Sequence, residues 1–103
     1  RRTALINPPF VSRFIRSARW QARGRGNTLY YPIWLCYAAA LLEKRDQLLI
    51  VDAPATGQTP QSVLDSVIRF RPELVAVDCG FSSLKNDVGF ARLVKQAVPD
   101  STV

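Results

Sequence analysis

Histidine does not occur in the 103 residues. Its absence removes Ser-His and Cys-His nucleophile systems, histidine metal ligation and histidine acid–base chemistry. Methionine is missing too, and the chain begins with Arg1, so residue 1 is expected to be a trimmed terminus. Cysteine is sparse. Cys36 and Cys79 stand 43 positions apart, which is neither a zinc nor a redox spacing and fits a reducing compartment. Cys36 is expected to be a small buried hydrophobe. Long apolar runs are lacking as well. A membrane span needs about 18 residues, and the best run, Pro32 to Leu42, has 11 before Glu43-Lys44-Arg45 interrupts it. The apolar stretch after Arg1-Arg2 is too short for a signal peptide. The expectation is a cytoplasmic protein with no membrane partner.

Acid is absent from one long window. Residues 8–29 contain Arg13, Arg16, Arg19, Arg23 and Arg25 and no Asp or Glu, so most of the net charge of +6 is concentrated there. Basicity is a local feature of this chain. Three readings stay open. The arginines hold phosphate on a ligand or nucleic acid, they contact another domain, or they ride on a solvated loop. Trp20 and the Tyr30-Tyr31 pair either stack on a planar partner or pack against the fold edge.

What is present is an alternation of apolar runs. "TALIN", residues 3–7, reads as a strand stopped by Pro8-Pro9. The polar segment to Asn27 reads as an insertion over residues 8–29, in which Phe10, Phe14 and Ile15 suggest a short basic helix. "YYPIWLCYAAALLEKR" reads as a helix with Pro32 in its first turn, apolar at nearly every position and so expected to be buried on more than one side. "QLLIVDAPA" reads as a parallel strand ending at Asp52. Thr59 as N-cap and Pro60 begin a second helix, with Val63, Val67, Ile68 and Phe70 inward. "PELVAVDCG" is a third strand ending at Asp78. "LKNDVGFARLVKQAV" is a third helix, with Val88, Ala91, Leu93, Val94 and Val98 inward and Pro99 as its stop. "STV" then falls where a fourth strand begins.

Continuous apolar strands between helices predict a parallel sheet covered on both faces. The expected fold is α/β, one domain over 1–103: a doubly wound, flavodoxin-like (Rossmann-like) three-layer sheet, truncated after the start of its fourth strand. Ligands of such sheets bind outside the carboxyl ends of the strands. Those ends are Asn7-Pro8-Pro9, Asp52-Ala53-Pro54-Ala55 and Asp78-Cys79-Gly80-Phe81-Ser82-Ser83, polar at the start and mostly small or proline after it. Strands also end on Asp or Asn simply to cap a turn. No glycine-rich dinucleotide or phosphate loop is present. A receiver-type acidic pair is missing after the first strand.

In their order and spacing, "LINPP", "YYPIWLCYAAALLEKR", "LLIVDAPA" and "RPELVAVDCGFSSLKNDVGFARLVKQAVPDSTV" resemble the N-terminal cobalamin-binding domain of radical SAM enzymes. Those enzymes include the cobalamin-dependent methyltransferases and the anaerobic magnesium-protoporphyrin ester cyclase. The resemblance implies a cobalamin-binding module that presents the corrin to its own C-terminal radical SAM domain, where S-adenosylmethionine and a [4Fe-4S] cluster would sit. It nominates Asn7, Pro8, Pro9, Asp52, Ala53, Cys79, Gly80, Phe81, Ser82 and Ser83 around the corrin, with Pro32 and Leu35 as lesser contacts. Two departures stand out. "EKRDQ" replaces the family's glycine before the second strand, and the Cys-x-x-x-Cys-x-x-Cys of the cluster is absent from this chain. No catalytic residue is nominated, and no metal ligand. The alternative is a domain that keeps the fold without cobalamin. It would bind nucleic acid or a partner protein through Arg13, Arg16, Arg19, Arg23 and Arg25, or only shape a substrate channel.

Overall fold

The first strand, β1 (Arg2–Asn7), is buried from Thr3 onward because neighbours flank it on both edges. The computed structural model describes residues 1–16, 22–23 by their backbone, and 31–103. After β1 come β2 (Phe14–Ile15), β3 (Ala22–Arg23), α1 (Ile33–Leu42), β4 (Gln47–Asp52), α2 (Ala53–Thr56), α3 (Pro60–Phe70), β5 (Leu74–Val77) and α4 (Leu84–Ala97). The fold is α/β with a small open parallel sheet in the order β4-β1-β5. Asn7 stands opposite Asp52 in the register, and the Asp78 N–H donates to the Ile6 carbonyl at 2.8 Å. The three strand ends therefore lie side by side.

Alternation along β1 sends Ala4 and Ile6 to one face and Leu5 to the other. On the first face, α3 and α4 cover Val51 and Val75 with Val63, Val67, Phe90 and Val94. Burying each of the larger side chains contributes roughly 1.5–3 kcal/mol. On the second face α1 lies alone among the described residues, with Leu35 and Ala39 against Leu5. Helix α3 starts as expected: the Ser62 N–H donates to Thr59 Oγ1 at 3.1 Å, and Pro60 follows in the first turn. Thr102 makes an isolated parallel bridge to Leu74 beside β5.

Five expectations need correction. The described part of the basic segment holds no helix. Arg13 has a left-handed backbone (φ 59), which breaks one, and β2 pairs antiparallel with β3. Helix α1 is buried on one side only: Trp34, Tyr37 and Leu41 are 67, 61 and 78% exposed. One sheet face supplies its contacts, and nothing described covers the rest. Cys36 consequently lies exposed. The inward face of α4 is Asp87, Phe90 and Val94, while Val88 and Leu93 are exposed. Ile68 of α3 is also exposed. Helix α2 was not anticipated: Ala53-Pro54-Ala55-Thr56 close one short turn, which Gly57 ends at φ 68. Among the described residues, no helix is long and apolar enough to cross a membrane.

Candidate strand-end site

Asn7, Asp52 and Asp78 form a polar row where the three strands end. The first two are joined, with Asn7 Nδ2 donating to Asp52 Oδ1 at 2.8 Å. Asp52 is half-buried. Asp78 follows β5, on the far side of β1. The chain runs from β1 to β4 on one flank and then returns across β1 to β5. The strand order thus switches at β1, the place where parallel sheets open a crevice.

A buried ion pair ties the loops of this edge together. Arg16 and Asp87 side chains are 1% and 0% exposed. The guanidinium donates through Nη2 to Asp87 Oδ1 at 2.6 Å and through Nε to Asp87 Oδ2 at 3.1 Å. Its Nη1 donates to Asn7 Oδ1 at 2.9 Å and to the Pro8 carbonyl at 2.7 Å. Asp87 also accepts from Ser83 Oγ at 2.6 Å, the Gly80 N–H at 2.9 Å and Asn86 Nδ2 at 3.1 Å. Asn86 Nδ2 reaches the Pro9 carbonyl at 2.8 Å. Phe14 and Phe10 pack edge to face at 4.9 Å, and the guanidinium lies 5.2 Å from the Phe14 ring centre. The loop after β1 is thereby fastened to the loop after β5 and to the first turn of α4. Burial alone would push the Asp87 carboxyl up. The bonds from Arg16, Ser83, Gly80 and Asn86 overcome it and hold the carboxyl below its usual range.

Asp78 has the opposite surroundings. Its Oδ2 is buried and without a hydrogen-bond partner. Burial raises its carboxyl above the usual range. The Arg16 charge works against that rise, and the nearby Asp87 charge adds to it. The Cys79 thiol is likewise raised, by burial first and then by the Asp87 and Asp78 charges. It is held as a thiol, lying 3.8 Å from the Val77 carbonyl, and is a poor nucleophile.

The nominated residues therefore divide. Asn7, Pro8, Pro9, Gly80 and Ser83 are buried, bonded to or packed beside the Arg16–Asp87 pair. Ala53 is 1% exposed and part of the core. Leu35 packs under α1 against the sheet and Pro32 caps that helix, so neither belongs to the row. Open to solvent are Cys79, Ser82 and Phe81, the last 92% exposed. Beside them an open depression of about 740 Å³ runs along α4, lined by Pro9, Phe10, Pro60, Ser82, Asn86 and Leu93 among others.

Of the arginines nominated for phosphate or partner contact, Arg16 is turned inward with its guanidinium fully engaged, so it is unavailable to an outside anion. Arg13 is half-buried, and its N–H donates to the Pro54 carbonyl at 3.1 Å. Arg19, Arg25, Trp20 and Tyr30 lie outside the described residues, and Arg23 is described by its backbone alone. Asp87, the centre of the network, was not singled out from the sequence. A signal was available: Asp87, Phe90 and Val94 recur at helical spacing, which places an acid on a core face where only a buried cation could meet it. Among the described residues, no group of three or more Cys, Asp or Glu side chains is placed to hold a metal ion. No family model matches the chain, and no curated protein or solved structure matches it.

Proposed function

We propose that this chain is a ligand-binding module working at the carboxyl edge of its sheet, and that its ligand is a cobalamin. The observation that carries the reading is the lone Asp78 Oδ2, a buried acceptor without a partner at the switch in strand order. Natural folds seldom leave such an atom bare, and a ligand donor is one way to satisfy it. The strand order β4-β1-β5, with helices on both faces, is the order that the first three strands take in a flavodoxin-like, doubly wound sheet, and supports that finer fold.

The residues fit a corrin in part. A macrocycle rimmed by amides offers donors to Asp52 and Asp78, and Ser82 and Cys79 leave room beside them. The Asn7-Pro8-Pro9 turn does not fit as a contact, because the chain's own Arg16 occupies its polar atoms. When bound, the group would supply cobalt-centred chemistry to a separate radical SAM domain. This chain's residues would bind and orient it. The exposed thiols Cys36 and Cys79 are in keeping with a reducing, cytoplasmic setting.

The test is titration with hydroxocobalamin, desalting and a visible spectrum. Corrin retained at about one per chain, and lost on Ser82→Tyr, is the expected result. A folded chain that retains none overturns the reading.

A further inference from the structure

The two faces of the sheet are not equally covered. Among the described residues, one carries α3 and α4, and the other carries α1 alone. Helix α1 contains no charged residue over Ile33–Leu42. A helix apolar all round belongs in a buried place. Yet only Leu35 and Ala39 are buried, while Trp34, Tyr37 and Leu41 stand 67, 61 and 78% exposed. Ile50, facing the same side from β4, is 48% exposed. We propose that this face is the contact surface of a homodimer, with α1 packed antiparallel against α1 of a second copy.

Three arguments select a second copy. The first is area. An aromatic side chain buries 150–250 Å², so the uncovered parts of these four side chains amount to roughly 500 Å². Two copies would bury about 1,000 Å², the lower bound of a specific interface. The second is shape. An antiparallel pair brings the bulky Trp34 end of one helix over the other's Leu41 end, where the small Ala40 leaves room, on both sides of the twofold axis. The third is charge. The face itself has none to select a different protein.

Sedimentation equilibrium of the full 103-residue chain tests this. The expected result is a mass of about twice 11.5 kDa at high concentration, with half-dissociation on the order of 10 µM for so small an interface. Trp34→Ala and Leu41→Glu, both on exposed side chains, should each weaken association at least tenfold while leaving the circular dichroism unchanged. Leu93→Glu, on the opposite face and 45% exposed, should leave association as it was. A chain monomeric to millimolar concentration overturns the proposal. So does a dimer that survives both α1 substitutions, or one broken equally by Leu93→Glu.

Discussion

Asp78 and Asp87 bracket one loop, and the same chain treats them in opposite ways. Asp87 has no exposed surface, and both of its oxygens accept from Arg16, with Ser83, Gly80 and Asn86 adding three more donors. Asp78 keeps a buried oxygen that accepts from nothing. Burial raises both carboxyls, and only at Asp87 do donors reverse the direction. A carboxylate with every lone pair answered is part of the scaffold. A carboxylate with one unanswered keeps a buried acceptor without a donor, at a cost in stability. Under the proposed function, the difference separates residues that build this edge from one that a ligand would complete.

The comparison breaks hardest at the ion pair. Arg16→Ala or Asp87→Ala leaves a buried charge unmatched and is expected to cost about 3–5 kcal/mol, read as a lower urea midpoint. Replacing both, Arg16→Met with Asp87→Leu, should cost less than either single change, because no stranded charge remains. Equal losses in the single and double variants would mean that the surrounding packing, rather than the charges, sets the stability of this edge.

Ser83→Ala is the next largest effect. It removes one donor from Asp87 and moves that carboxyl a step toward the condition of Asp78. A hydrogen bond to a charged group contributes about 1.5–3 kcal/mol, so a loss of about 2 kcal/mol in the same unfolding experiment is expected. The folded-state carboxyl of Asp87 should also rise toward its usual range, because a lowering contribution is gone. Carbon-detected titration of the Asp87 side chain would follow that rise, and an unmoved carboxyl would remove Ser83 from the network.

Much of this was legible along the chain. The strands around Leu5, Val51 and Val75 announce themselves as unbroken apolar runs, and Thr59-Pro60 marks a helix start through capping chemistry that is local by nature. The polar strand ends were legible for the same reason. The Arg16–Asp87 pair was not, because its members lie 71 positions apart and meet only after the sheet forms. Pattern reading assigned the arginines to the outside as a group, and one of the five is the most buried cation described. The exposure of α1 was hidden in another way. An apolar helix states that it is to be covered, and composition alone does not state by what.

Asp78→Asn is the smallest effect and the one that sharpens the comparison most. Asp78 has a folded-state carboxyl raised above its unfolded value. Its contribution to stability is therefore fully present below the unfolded value, near pH 3.9, and is lost as pH rises through the raised one. At pH 7 the ionised group works against the fold, so the neutral amide should stabilise by about 1 kcal/mol. The gap between variant and natural chain should close on acidification toward pH 4. Asp87, whose carboxyl is lowered, follows the opposite sign: its contribution is present above the unfolded value and is lost as pH falls below the usual range. Paired urea titrations from pH 4 to 8 read the Asp78 side of this. A more stable Asp78→Asn chain that retains less corrin marks Asp78 as a ligand-facing residue whose ionised form costs stability. A less stable one would show that the bare oxygen has a structural partner after all, and would withdraw Asp78 from the site.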